Sequence, residues 1–540
     1  MQLETSNLQF ADTDVREYIN EMEKRYQALQ ADYEHQLNQL RNDTITYQNK
    51  YLEIKERYDL LTYKKFGRSA EQMLADEKQP SLFAIEGDPS DEEAEPKEKI
   101  FTEIKSHKRK KPGRKPLDSK LRREEKIIDI PESEKICACG AHLTRIGEET
   151  SEKLQIIPPR IYVEKTVRPK YACRHCEGTG DEGKPTVRIA SVEPSIIPKS
   201  IVSPSLLSTI ITQKFEDHLP YFRQEKQFER IWVTISRQDM SNWQQKAYEK
   251  VMPLFELLKE ALKRGPVIQM DETTVQVMGE EDRLDTQKSY MWLARGGLSG
   301  KPVVLYEYRQ TRGAYHAKEF LFGYSGYLQT DGYEGYDAAI RDMPDIIHVG
   351  CFAHARRKFF EAAQVKTDKK SSKPLSANEG INHIRKLYLI EDELRSRDMD
   401  EATFLIERKA RAGPVLEKFK TWLYRHSQEV PPTLLLGKAI HYSLAQWDKM
   451  VAYLESPYLT PDNNACENAI RPFVLGRKNW LFCKSPEGAG SSCGMYSLIE
   501  TAKQNGLVPF QYLMALFEKA PLVISTTDWE KLLPWNIFTA

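Results

Sequence analysis

Between Pro461 and Gly490 the sequence runs PDNNACENAIRPFVLGRKNWLFCKSPEGAG, and in it Asn464, Glu467, Asn468 and Arg471 follow one another at steps of three, one and three. On a helix those positions share a face. A carboxylate, two amides and a guanidinium would then stand together, with Asp462 just ahead as a helix cap and the apolar Ile470, Phe473, Val474 and Leu475 close behind. Such a face is either solvated surface or a carboxylate aimed at something charged, and the second reading needs more acids. Asp271 follows the apolar strand start VIQM, and Asp331 stands where the strand-like GYLQT gives way to a Gly-rich turn. One Asp after an apolar strand is ordinarily a cap or an ion-pair partner. Two of them together with Glu467 form a set that suits hard divalent ions, because Mg2+ prefers oxygen ligands and keeps several waters. Two such ions about 4 Å apart stabilise both the attacking and the leaving oxygen of an in-line phosphoryl displacement.

A second group of residues has different chemistry. Cys137-Ala138-Cys139-Gly140 and Cys173-Arg174-His175-Cys176 are two knuckles separated by strand-like stretches such as PRIYVEKTVRPKYAC. Four thiolates in two close pairs are what a closed tetrahedral zinc site requires. The single-residue spacer of the first pair makes a tighter chelate, and His175 stands in reach as a substitute ligand. Two buried clusters of reduced thiols are the alternative. The chain has eight cysteines in 540 residues, too few for a disulfide framework, so a reducing compartment is expected.

These residues need elements to position them. VIQMDETTVQVMG, SYMWLARGG and KPVVLYEYRQTRG are β-rich runs separated by polar or glycine-bearing loops; HAKEFLFGY is helical, and GYLQTDGYEGY is a further strand ending in turn residues. Three strands, a helix and a strand, with Asp on the first strand, Asp at the end of the fourth and Glu on a distal helix, is the arrangement of the ribonuclease H-like fold. Residues from Glu361 to Leu454 read as helices and form an insertion before Glu467. Upstream, SPSLLSTIITQKF, LPYFRQEKQFERI and SRQDMSNWQQKAYEK are helices, the last opened by the capping pair Ser236 and Asp239. A helix, a short turn and a capped helix carrying Arg237, Gln238 and Asn242 outline a helix-turn-helix, with a plain helical hairpin as the alternative.

The N-terminal region differs in kind. From Tyr18 to Leu61 the apolar positions Tyr18, Met22, Tyr26, Leu29, Tyr33, Leu37, Leu40, Tyr47, Tyr51, Ile54, Tyr58 and Leu61 recur at steps of three, four or seven without Pro or Gly. The pattern predicts a long helix with one adhesive seam, hence a homo-oligomeric coiled coil. An acidic linker follows, and then the basic KSHKRKKPGRKPLDSKLRREEK, in which Arg114 and Lys115 lie in a short extended cationic segment suited to phosphates or an A·T minor groove. Net charge is zero, from 79 basic and 79 acidic residues, so the total conceals an acidic block beside a basic one. A chain this long implies three or more folding units. No apolar run approaches the roughly 20 residues a bilayer demands, so the expected location is the cytoplasm.

The motifs MDET, TDGYEGY, GCFAHARRKFFEA, DNNACENAIRPFVLGRKNWLF, YSLIETAKQNG and LLPWN, with KKFGRSAEQ and PGRKPL upstream, resemble the IS66 family of bacterial insertion-sequence transposases, its large C subunit in particular. The resemblance covers nearly the whole chain; the first cysteine knuckle departs from it by its shorter spacer. It implies a DD(E) transposase with Asp271, Asp331 and Glu467 at the catalytic positions, two catalytic Mg2+, structural Zn2+ on Cys137, Cys139, Cys173 and Cys176, double-stranded DNA as partner and two small accessory proteins. Cys351-Phe352-Ala353-His354 resembles the Cys-x-x-His signature of transposases with helical insertions, read as a joint between core and insertion. Arg471, Arg477 and Lys478 are expected at phosphate or DNA backbone.

The expected organisation is a multidomain α+β chain: coiled coil 1–65, acidic linker 66–104, basic segment 105–130, zinc-binding domain 131–190, helical DNA-binding domain 191–262, ribonuclease H-like core 263–360 and 456–515 with the helical insertion 361–455 between, and tail 516–540. A catalytically silent DNA-binding regulator and a nuclease that cuts without joining are the rival readings.

Overall fold

The computed structural model describes residues 13–66, 160–172, 187–364 and 376–538, with 127, 129, 131 and 153. The acidic linker, Arg114 and Lys115, and Cys137, Cys139, Cys173 and Cys176 lie outside the described residues. The chain divides into two compact units, Asp88–Val192 and the remainder. In the smaller unit, β1 (Lys170–Ala172) pairs antiparallel with β2 (Val187–Ile189), and Arg168 donates to the Ala190 carbonyl at 2.7 Å. Of the strand-like run PRIYVEKTVRPKYAC only this last piece is paired, a correction to the longer strand its β-branched residues suggest.

The larger unit begins with α1 (Thr13–Phe66), 54 residues long and supported on its surface by i,i+4 pairs such as Glu21–Arg25. Its apolar seam faces solvent: apart from half-buried Leu37, the seam residues are between 49% exposed at Met22 and 71% at Tyr47. Near its far end Glu56 accepts a hydrogen bond from the Leu435 backbone N–H at 2.8 Å.

Three helices precede the sheet. Ser203 caps α2 (Pro204–Phe215), α3 (Tyr221–Glu229) follows, and Ser236 accepts the Asp239 N–H to open α4 (Arg237–Lys263). The sheet is built from β3 (Val267–Val277), β4 (Lys288–Leu298) and β5 (Lys301–Arg309), which are antiparallel neighbours. The β4–β5 turn is closed by Ser299 and Gly300, whose φ of +75° a side chain would strain. After α5 (Ala314–Leu321), β6 (Gly326–Gln329) returns parallel to β3; α6 (Glu334–Ile340) leads to β7 (Ile346–Val349), parallel to β6. The strand order is β5-β4-β3-β6-β7.

From β7 the chain enters α7 (Phe352–Ala363) and the helices α8 (Ser376–Arg395), α9 (Glu401–Glu429), α10 (Leu435–Ala445) and α11 (Trp447–Val451). They have their own core, with Phe359, Phe419, Leu423 and Ile440 fully buried. The return segment of this insertion is fixed by Arg408, which has no exposed surface and donates to the carbonyls of Tyr453, Ser456 and Leu459 and to Glu391 at 2.6–3.0 Å. Then come α12 (Asn464–Trp480), the two-residue β8 (Phe482–Cys483) beside β3, α13 (Pro486–Gln504), α14 (Pro509–Lys519) and α15 (Thr526–Glu530).

Hydrophobic continuity cuts across the expected boundaries. Leu207, Ile210, Leu254 and Leu258 of the upstream helices share one buried cluster with Met291 and Val303 of the sheet, Leu498 of α13, and Leu533 and Ile537 near the C-terminus. Apolar side chains of α2, α4 and the segment 516–538 pack into the same core as the sheet.

Candidate active site

Asp271 and Glu272 lie side by side on β3, Asp331 just beyond β6, and Glu467 in the first turn of α12. The neighbouring polar residues set this register. Gln269 on β3 donates its side-chain amide to the Gln329 oxygen on β6 at 2.8 Å and accepts from Arg295 on β4 at 3.2 Å, and Gln329 donates to the Thr460 carbonyl at 2.7 Å. Asn463 donates from its side chain to the Met270 carbonyl at 3.1 Å, so the start of α12 is pinned beside Asp271. Asp462 is buried; it accepts the Asn464 N–H at 3.0 Å and the Asn464 side-chain amide at 2.6 Å. The cap residue itself is Asn463, one position after the residue the sequence suggests.

Asp271 and Asp331 each tie one oxygen to a backbone N–H, of Glu272 at 2.8 Å and Tyr333 at 3.0 Å. Burial pushes the Asp271 carboxyl well above the usual range, and the charges of Glu272, Glu467 and Asp331 push it further in the same direction. Glu467 is raised mainly by burial, against the pull of Arg357. The carboxylates thus sense one another's charge, yet they are not drawn into a tight ligand group. Among the described residues the tightest such group is Cys351, His354 and Glu467, with ligand atoms within 4.8 Å of one another. Four acids repel when no cation lies between them.

The β7–α7 corner supplies the remaining neighbours of Glu467. His354 Nε2 is 3.7 Å from one carboxylate oxygen and Arg357 3.5 Å from the other. Burial, then the charge of Arg357, holds the His354 pKa down at about 4, so at neutral pH the imidazole is uncharged. Cys351 accepts the Asn463 N–H at 3.3 Å, and burial pushes its thiol far up. A thiol kept protonated is a poor metal ligand. Glu467 Oε1, Asn463 Oδ1 and Asn464 Oδ1, by contrast, are buried oxygens without a hydrogen-bond partner. Uncompensated buried oxygen beside raised carboxyls fits a hard divalent cation, and the protein residues that fit it are Asp271, Asp331 and Glu467.

Sequence reasoning missed Glu272 and its partners. Its side chain is 2% exposed and ion-paired to Arg312 of the β5–α5 loop, and it accepts the Tyr336 hydroxyl. The adjacent acids in MDET were the available signal; their partners lie 40 and 64 residues away and have no local pattern.

The other expected site residues divide. Arg237, Gln238 and Asn242 are exposed on the first turns of α4, and Gln238 donates to Asn242 at 2.9 Å. Asn468, Arg471 and Lys478 are exposed on α12. Arg477, expected at DNA backbone, turns its guanidinium onto β3, donating to the Thr273 and Thr274 hydroxyls at 3.3 and 3.1 Å and to the Thr274 carbonyl.

Comparison with known families places this geometry. Residues 199–491 match the transposase IS66 family, 134–177 the zinc-finger binding domain of transposase IS66, 497–535 the IS66 C-terminal element, and 53–125 the family described as transposase C of IS166 homeodomain. These matches, on a mixed α+β fold with a zinc-finger segment, define a transposase. The chain belongs to the IS66 family. It is similar to the uncharacterized protein y4hP of Sinorhizobium fredii (strain NBRC 101917 / NGR234), 30% identical over 80% of this chain and 78% of that one. The uncharacterized protein y4qI of the same strain is 31% identical over 78% and 77%. The zinc-finger match supports structural zinc. Among the described residues no helix is long and apolar enough to cross a membrane.

Proposed function

We propose that this chain is a DDE transposase that binds the ends of its own insertion sequence, hydrolyses a phosphodiester to free a 3′ hydroxyl and joins that end to target DNA. One observation carries the reading: Asp271, Asp331 and Glu467, from three separate elements, raise or are raised by one another's charge around buried oxygens that have no partner. The sheet order supports it, because three antiparallel strands followed by two parallel to the first is the order of ribonuclease H-like cores.

Two Mg2+ ions held by Asp271, Asp331 and Glu467 would supply activation of the attacking oxygen and stabilisation of the leaving one. The rest falls to the protein. Backbone N–H groups fix one oxygen of Asp271 and of Asp331, which keeps the other turned toward the site. Arg357 and neutral His354 flank Glu467 and hold its orientation. Arg312 already neutralises Glu272, and the carboxylates of Asp271, Asp331 and Glu467 would repel a phosphodiester unless cations lie between.

Outside the site, Arg237, Gln238, Asn242, Arg471 and Lys478 contact DNA, with Arg114 and Lys115 on the phosphates. Zinc sits on Cys137, Cys139, Cys173 and Cys176; α1 pairs with its counterpart in a second copy; and two small accessory proteins take part. Full-length protein, Mg2+ and labelled element ends test the activity. Joined product that disappears in Glu467→Gln while end binding persists supports the reading. Equal joining by Glu467→Gln and wild type excludes it, end binding without any reaction would indicate a silent regulator, and cleavage without joining would indicate a nuclease.

A further inference from the structure

The Glu272–Arg312 pair is more than the middle of a strand requires. Burying a carboxylate is expensive unless it is paired, and here the partner is only half withdrawn from water: Glu272 is 2% exposed and Arg312 39%. If neutralising Glu272 were its whole role, the guanidinium could be as buried as Arg408. Instead three contacts fix its plane. Nε and Nη2 face one Glu272 oxygen. The Tyr333 ring lies under the guanidinium, 3.7 Å from its carbon to the ring centre. The Tyr333 hydroxyl donates to the Arg312 carbonyl at 2.9 Å. Tyr333 also gives its N–H to Asp331, so the arginine and that carboxylate are positioned by one residue. Nη2 is 4.0 Å from Asp331 Oδ2, and among the described residues Nη1 makes no hydrogen bond.

We infer that Arg312 is a preorganised phosphate-binding residue, its outward edge aimed at a non-bridging oxygen of the phosphodiester brought to Asp331, with Glu272 and Tyr333 as its positioning residues. A guanidinium held in plane presents parallel donors to two phosphate oxygens, which a lysine ammonium cannot do. Placed among carboxylates, it cancels repulsion that would otherwise meet the substrate. Because stacking and ion pairing have already restricted its rotamers, little freedom is lost on binding. The inference rests on the transposase reading given above.

Removing Arg312 alone would strand a buried charge and risk unfolding, so the test uses Glu272→Gln as background, where that charge is gone while the amide oxygen still accepts from Nε and Nη2 and, with Tyr333, keeps the guanidinium placed. Cleavage of element-end duplex is measured for E272Q and for E272Q/R312Q, each on normal DNA and on DNA with a methylphosphonate, which lacks one non-bridging charge, at the scissile position. Circular dichroism and end binding check the fold. E272Q/R312Q should cleave normal DNA about 10²–10³-fold more slowly than E272Q, the usual effect of losing one aligned donor. Its further loss on methylphosphonate should be at least about tenfold smaller than that of E272Q, because two changes to one contact do not multiply. The inference is overturned if the double variant stays within about threefold of E272Q on normal DNA, or if methylphosphonate slows both proteins by the same factor. Asp331→Asn run alongside separates the two claims: if it cleaves normally the transposase chemistry itself is misplaced, whereas if it is inactive and Arg312 is dispensable only the phosphate contact is lost.

Discussion

The carboxylate site and helix α1 depart from ordinary protein surface in opposite directions. At the site, one Glu467 oxygen and the amide oxygens of Asn463 and Asn464 are buried without hydrogen-bond partners; along α1, tyrosines, leucines and isoleucines face water. Each is costly alone, the first through desolvation and the second through exposed apolar area. The difference shows what each region lacks. A buried negative cluster needs cations and a substrate, and an apolar stripe on a lone helix needs another stripe. Under the proposed function, chemistry and assembly fall to separate regions of the chain; near its far end α1 reaches the insertion, where Glu56 accepts the Leu435 N–H.

The sharpest way to break this comparison is at the acids. Asp271→Asn, Asp331→Asn and Glu467→Gln should each lower strand transfer by about 10³-fold or more with end binding retained, and any two together should lose little more than one, because the three act as a unit. Additive losses in the double variants would separate their roles. Next in size is assembly. Deleting residues 1–62 should leave the sheet folded and lower the mass seen by light scattering, while a single Ile54→Asp should weaken association at low concentration. An unchanged mass after the deletion would show that the seam is not the contact.

Proton linkage gives a smaller effect. Burial raises the folded pKa values of Asp271 and Glu467 above their ordinary 3.8 and 4.5, so between those values and the raised ones the folded state holds protons that the unfolded state has released. The associated stability is fully present below the ordinary values and is lost as pH rises through the folded ones. Metal-free protein should melt lower at pH 8 than at pH 5, and Mg2+ should raise Tm by more at pH 8, by a few degrees (about 2–4 °C for each kcal/mol in a large domain). Differential scanning calorimetry with and without Mg2+ checks this; an equal shift at both pH values would place the ion elsewhere. The smallest effect is expected at Asp462→Asn. Its two bonds to Asn464 survive in part with an amide, so stability should fall by about 1 kcal/mol and joining should persist.

Much of the sheet is readable from local pattern, because strands β3 to β6 alternate β-rich runs with glycine-bearing turns, with Asp271 inside β3 and Asp331 just past β6. The long helices α1, α8 and α9 are readable for the same reason, including α9, which continues through Pro414. What the pattern does not reveal depends on distant partners. Arg477 reads as an outward cation until Thr273 and Thr274 are seen beneath it. The segment after Lys519 reads as a tail because Pro521 and Pro534 break its apolar residues into short runs, although the core covers Leu533 and Ile537. Glu272 differs from Asp271 only through Arg312 and Tyr336, neither of which is near it in sequence.

The Arg408 clamp bears on the order of events during synthesis. Asp271 and Asp331 leave the ribosome well before Glu467, and the segment that delivers Glu467 is fastened to α8 and α9 through Glu391, Arg408 and the carbonyls of Tyr453, Ser456 and Leu459. Domains generally form in the sequence in which they are made. A nascent chain therefore lacks Glu467, and with it the full set of acids on which the proposed chemistry depends, until the helices of the insertion have been made.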